Sequence, residues 1–298
     1  MHAVPDSRQQ AAGKSTTRAL LLQSLTHPLC PVGETAPVPA TELRAITQQQ
    51  LLTQVMARAI DFETEFPKIS NNYLSQEQRH QFFEKLKQVV VIVNTEIPGI
   101  AGGAPPTKPM VLRGAGLIID KNGTILTSAY LVPDDALSIR VRQEVDEDFW
   151  EANREGKMPK YDLTILVPKK NVCAFDFATF DEEEGFDIGK EVLSISHTAN
   201  FMYTLMIGHL ACQDHMLARD VEDDPKNVAP LSLDGDLKLM QINNFHGWNN
   251  AMGAPVFSSS GGLIGLSTFV WKEFDFAVHL TVLKDFYRSY KKGKGKKK

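Results

Sequence analysis

Few residues in this chain have the types and spacing that chemistry needs. His209, Cys212 and His215 recur every three positions and are metal-ligating types. On a strand, residues three apart point to opposite faces. Zinc takes four protein ligands, or three and a water, and no fourth ligand accompanies this set. No metal and no cofactor is therefore expected. Cys30, Cys173 and Cys212 are the cysteines, and so small and odd a number fits a reducing compartment better than a disulfide framework. His246 has the chemistry of a base. Ser258, Ser259 and Ser260 carry hydroxyls, but they precede two glycines and read as a turn. Asn122-Gly123-Thr124 spells a glycosylation sequon. Asn-Gly between two short apolar runs is first a hairpin turn, because both residues accept the positive φ of a type I′ turn.

Charge is spread unevenly. Net charge is −4, yet Lys291, Lys292, Lys294, Lys296, Lys297 and Lys298 fall in the last eight residues, so the rest of the chain carries −10. An acidic body argues against a broad nucleic-acid face. The lysine tail is read as a disordered solvating tail first. A nuclear localisation signal, or a patch for nucleic acid or anionic lipid, stays open. The acidic stretch from Glu144 to Glu155 holds Phe149 and Trp150. A solvated loop is its simplest reading, and exposure of that aromatic pair would instead mark a partner surface. No apolar run approaches the roughly 18 residues of a membrane span.

The elements that must position these residues differ along the chain. Residues 1–40 are rich in Pro, Ala, Ser, Thr and Gln and are expected to be a disordered N-terminal segment. They hold no acidic residue between Ser7 and Gly33, a trait shared with transit peptides. That hints at an organelle while the lysines hint at the nucleus, so an intracellular compartment is expected but not named. Residues 41–87 are expected to be a helical extension. Leu43, Ile46, Leu51, Leu52, Val55 and Met56 recur at helical spacing, and Ser75 with Gln78 has the spacing of a capping box before Phe82, Phe83 and Leu86. From residue 88 the texture becomes short apolar runs broken by turns, which predicts an all-β barrel or sandwich. Strands are expected at 89–93, 116–120, 124–128, 162–167, 172–180, 191–196, 204–211, 237–242, 255–258, 262–270 and 274–280, with a charged, partly helical insertion at 142–160.

The order of several short motifs resembles the protease domain of HtrA/Deg-type trypsin-like serine proteases. Gly114–Asp120 (G-A-G-L-I-I-D) is similar to their G-S-G-F-I-I-D, and Ile125–Val132 (I-L-T-S-A-Y-L-V) to I-L-T-N-A-H-V-V, which carries the family's histidine. Asp176–Phe180 (D-F-A-T-F) resembles D-L-A-L-L, which carries the aspartate, and Asn250–Phe257 (N-A-M-G-A-P-V-F) resembles G-N-S-G-G-P-L-F, which carries the serine. Leu263–Thr268 and Phe276–Val278 resemble the strands that follow. The resemblance implies a mainly β chain, a trypsin-like double β-barrel over residues 88–288 with an N-terminal helical extension and a basic disordered tail at 289–298. It implies a cleft between the barrels, and no PDZ domain within this chain.

The resemblance places Tyr130, Asp176 and Met252 at the triad positions. A triad works because an imidazole near neutral pKa takes the serine's proton while a carboxylate orients it. Phenols have a reference pKa of about 10 and are poor bases at neutral pH. A thioether has no proton to lose. The turn that would form the oxyanion hole reads Asn250, Ala251, Met252 and Gly253, and Ala254 replaces a glycine, which is expected to strain it. The expectation is a pseudoprotease that binds a polypeptide or protein partner, or regulates an active relative, with homo- or hetero-oligomers among related proteases as one form of partnership. A residual or rewired endopeptidase is the alternative. In the first reading Tyr130 would donate its hydroxyl to Asp176, and Met252 would fill the nucleophile's space.

Overall fold

Among the described residues every ladder is antiparallel, and the pairings sort the strands into two closed six-stranded barrels. The structure is a computed structural model. It describes residues 73–99, 108–170, 174–198, 201–212, 214–221, 233–245, 251–271 and 273–295. The expected disordered segment at 1–40, the helix expected from residue 41, Cys30, Cys173, His246 and Asn250 lie outside the described residues.

The first barrel comprises β1 (Val90–Ile97), β2 (Met110–Ile118), β3 (Ile125–Ser128), β4 (Ser138–Arg142), β5 (Trp150–Met158) and β6 (Leu163–Pro168). Its order is β1-β2-β3-β6-β5-β4, closed by β1 pairing with β4. The second comprises β7 (Glu191–Thr198), β8 (Phe201–Leu210), β10 (Lys238–Asn243), β11 (Pro255–Ser258), β12 (Leu263–Trp271) and β13 (Phe274–His279). It runs β13-β12-β11-β7-β8-β10 and closes through β10–β13, with the two-residue β9 (Met216–Leu217) appended to β10. This is a trypsin-like double barrel.

The apolar run at Val89–Val93 is continuous because both of its faces are covered. Val91 and Val93 point into the first barrel with Ile118, Ile125 and Leu166. Val90 and Leu117 face outward, into a cluster shared with Leu193 and Phe257 of the second barrel. The second barrel's own lumen is filled by Val192, Met240, Ile242, Val256, Ile264 and Ala277.

Two helices pack on this frame. In α1 (Gln76–Leu86) the capping box is formed: Ser75 Oγ accepts from Gln78 N at 3.2 Å, and Gln78 Oε1 accepts from Ser75 N at 2.8 Å. Phe82 and Leu86 are fully buried, and Phe82 meets Phe257 edge-on at 6.0 Å. Arg79 Nη2 and Leu74 N both donate to Glu191, at 2.5 and 3.0 Å, so a fully buried carboxylate holds the helix to the second barrel. The other helix, α2 (Leu280–Gly295), corrects the expected disordered tail over 289–295, since it continues through Lys291, Lys292 and Lys294, while residues 296–298 lie outside the described residues. Its first turns bury Leu280, Leu283 and Phe286. Its last turns are held by two carboxylates of the first barrel. Tyr287 Oη and Lys291 Nζ donate to Asp120 at 2.9 and 2.5 Å, while Tyr290 Oη and Lys294 Nζ reach Glu155 at 2.8 and 2.6 Å. Cations in a helix's last turn also suit its dipole. No helix among the described residues is long and apolar enough to cross a membrane.

Three further expectations change. The stretch 142–160 is not a partly helical insertion, because it contains barrel strand β5. Of that strand only Ala152 is buried, so Glu151, Asn153, Arg154 and Glu155 conceal its period. Residues 174–180 form no ladder strand. They cross from one barrel to the other, with Phe175 N bonded to Lys121 O, Ala178 N to Ile118 O, and an isolated bridge from Phe180 to Leu263. The Asn122-Gly123 turn is not type I′. Of the two residues only Gly123 has positive φ, +76°, and Asp120 Oδ1 organises the turn by accepting from Asn122 N and Thr124 N.

Candidate functional site

The loop leaving β3 presents Tyr130 at the mouth of the cleft, 42% exposed. Behind it lies a carboxylate that the sequence reading did not single out. Asp162 follows a 3-10 turn at Pro159–Tyr161 and adopts a left-handed conformation, φ 53° and ψ 37°, which Asp tolerates better than most residues. That conformation turns its buried carboxylate toward the β3 loop. Ser128 Oγ donates to both of its oxygens, at 2.7 and 2.9 Å. The Tyr130 backbone N–H donates to Oδ1 at 2.9 Å, and Thr268 Oγ1, from β12 of the other barrel, donates to Oδ2 at 2.6 Å. Burial pushes the Asp162 carboxyl up from 3.8 to about 6, against the opposing pull of the Thr268, Ser128 and Tyr130 hydrogen bonds. Asp162 thus pins the barrels together while carrying a costly charge.

Asp176, expected beside Tyr130, is exposed on the inter-barrel crossover. Among the described residues no hydrogen bond joins the Tyr130 hydroxyl to Asp176. The carboxylate against the Tyr130 loop is Asp162, and this corrects the assignment. A signal for it was present: Asp162–Leu166 reads D-L-T-I-L, closer to D-L-A-L-L than the stretch at Asp176. It was absorbed into the expected strand at 162–167.

Met252 is partly buried and packs against the first barrel's apolar cluster, to which Leu131 and Val132 belong. Its carbonyl accepts from Ala115 N at 3.1 Å. Gly253 has φ +73°, and a Cβ there would collide with the Ala115 carbonyl and lie 2.5 Å from Thr127 Oγ1. The turn therefore still demands glycine at this point. Ala254 is not strained, contrary to expectation. It is fully buried without positive φ, with N bonded to Ala251 O at 3.0 Å and O accepting from Ser267 N at 2.8 Å. Ala251 is buried beside it.

Beside Tyr130 the first barrel opens a cleft of about 410 Å³, lined by Ile97, Leu112, Tyr130, Pro133, Lys157 and Asp162 among others. Asp134 on its rim is engaged by Lys157 and Arg154, both at 2.9 Å. The other sequence candidates do not join the cleft. Ser258 and Ser260 donate to Asp181, a buried turn carboxylate, and no described histidine bonds to them. His209 meets Tyr73 edge-on, Cys212 Sγ accepts from Gln241 N, and His215 pairs with Asp214. Burial pushes the Cys212 thiol up. Among the described residues no cluster of three His, Cys, Asp or Glu is placed to hold a metal.

No protein-family model matches the chain. Over 202 residues it is 27% identical to a probable periplasmic serine endoprotease DegP-like of Pseudomonas fulva, which covers 63% of this chain and 36% of the relative. Proteins of the same description from Chlamydia muridarum and Chlamydia trachomatis are 24% identical over 172 residues and 23% over 161. In each case 54% of this chain and 32% of the relative are aligned. The chain is similar to DegP-like serine endoproteases. It spans about a third of the length of the curated DegP-like relatives it matches. The double barrel agrees with that likeness.

Proposed function

We propose that this chain is a DegP-like domain without proteolytic activity, whose first-barrel cleft beside Tyr130 holds a polypeptide or serves to regulate an active relative. One observation carries the reading. The buried carboxylate Asp162 receives hydrogen bonds from Ser128, Thr268 and the Tyr130 backbone rather than from an imidazole, while a phenol and a thioether stand where the family resemblance puts base and nucleophile. Loss of serine or histidine alone from a subtilisin-type triad costs about 2 × 10⁶ in turnover. Only binding and oxyanion effects, about 10³–10⁴ over water, survive such a loss. The cleft, half apolar with a Lys157–Asp134 pair at its rim, suits a side chain and its backbone better than a charged small molecule.

The test is direct. The purified chain, incubated with unfolded casein, is expected to release no more peptide than its Met252→Ala variant. Reproducible cleavage that disappears in the variant overturns the proposal and favours a rewired endopeptidase.

A further inference from the structure

The acidic stretch that holds Phe149 and Trp150 lies in the first barrel, beside the hairpin that opens the second. Trp150 is packed against Phe175 beneath Lys170, whose Nζ sits 3.5 Å from the ring centroid. Phe149 behaves differently. The Arg142 guanidinium lies over its ring, 5.0 Å from the centroid, and Arg142 Nη2 also donates to Met202 Sδ at 3.2 Å. The Tyr203 hydroxyl donates to the Arg142 carbonyl at 3.3 Å. Arg142 thus joins the β4–β5 loop to the start of β8. Val145 on the loop and Phe201 on β8 are 73% and 71% exposed, the most exposed large apolar side chains among the described residues.

Two observations set this junction apart from scattered surface apolars. Tyr203 has φ +54°, a genuine outlier for an aromatic residue. It is held there by donating its N–H to His197 Nδ1 at 3.0 Å, with the two rings edge to face at 4.5 Å. His197 is fully buried. Strain retained by such support fixes Phe201 and Met202 on the surface, and strain of this kind concentrates at functional sites. The second observation is charge. Glu144 and Asp146 are engaged by Lys87 and Lys170. Glu147 and Asp148 are exposed, and among the described residues their carboxylates make no ion pair.

We propose that the Arg142 junction is a docking surface for an apolar segment of another protein flanked by lysine or arginine. Phe201, Met202, Val145 and the Phe149 edge receive the apolar side chains, and Glu147 and Asp148 meet the flanking cations. The same carboxylates repel nucleic acid and anionic lipid, which favours a cation-flanked peptide over either. Pre-organisation lowers the ordering cost of binding.

The test uses the full chain and two fluorescent peptides with one Leu-Phe-Leu core, flanked by lysines in one and by glutamates in the other. Fluorescence anisotropy is expected to show the lysine peptide binding at least about tenfold tighter, with affinity falling as salt rises. The double variant Val145→Ser/Phe201→Ser is expected to lose about tenfold in affinity for it. Charge reversal by Glu147→Lys/Asp148→Lys, confined to exposed side chains, is expected to invert the flank preference. Equal affinity for both peptides, no binding of either, a preference that survives charge reversal, or affinity untouched by the serine variants each overturns the proposal.

Discussion

Asp162 should make the protein more stable as the solution becomes mildly acidic, which is the reverse of what paired surface carboxylates do. The perturbation is Asp162→Asn, compared with the parent chain across pH. The folded-state carboxyl is raised from 3.8 to about 6, chiefly by burial. The proton therefore binds the folded state more tightly than the unfolded one. Each pH unit between those values is worth about 1.4 kcal/mol, so the buried charge costs about 3 kcal/mol at pH 7.5. The cost is fully present above about pH 6 and is relieved as pH falls toward 3.8. Asparagine does not titrate, and its altered hydrogen bonding to Ser128 and Thr268 adds an offset that does not vary with pH. The stability difference, parent minus variant, should thus rise by about 2 kcal/mol between pH 7.5 and pH 4, whatever its absolute value. Urea titrations followed by tryptophan fluorescence at half-unit pH steps measure it. A difference that stays flat, or that falls with acidity, refutes the assignment of Asp162 as a desolvated, ionised pin.

Three other outcomes follow from the same geometry. In a rebuilt Tyr130→His/Met252→Ser chain, any casein cleavage should fall by about 10⁴ when Asp162→Ala is added, as for loss of a triad aspartate, and should be indifferent to Asp176→Ala. Substituting Gly253→Ala, at φ +73° and against the Ala115 carbonyl, should cost about 2 kcal/mol or more in urea unfolding. Arg79→Ala leaves the fully buried Glu191 with, among the described residues, the Leu74 amide alone, and should lower stability by about 2 kcal/mol, less than for a wholly buried pair because Arg79 is partly exposed. Glu191→Gln in that background should recover part of the loss.

The double barrel was legible wherever a strand alternates or is buried on both faces. Val89–Val93, Ile125–Ser128 and Leu263–Thr268 stood out because burial selects apolar residues at fixed period. β5 did not, since its outward face carries Glu151, Asn153 and Glu155 and its inward face offers little beyond Ala152. The last turns of α2 were hidden for a related reason. Their lysines and glycines favour solvent and coil locally, and their carboxylate partners, Asp120 and Glu155, are distant in sequence. Tyr130 and Met252 were singled out by motif order, because each lies within a long matching stretch. The carboxylate was misplaced because Asp162–Leu166 and Asp176–Phe180 are both short matches, and the better one, Asp162–Leu166, was read only as a strand. What separates them, the left-handed turn at Asp162 and the threonine arriving from the other barrel, exists only in three dimensions.

The attachment of α2 gives the molecule an order of unfastening. Its heel, Leu280, Leu283 and Phe286, is sunk in apolar packing, whereas its toe is held by Lys291 and Lys294 on two carboxylates. Ion pairs of this exposure weaken with salt and yield singly, but buried apolar packing does not. Tension applied at Gly295 would therefore peel the toe from the first barrel link by link and then arrest at the heel, a zipper with a stop, leaving the second barrel intact.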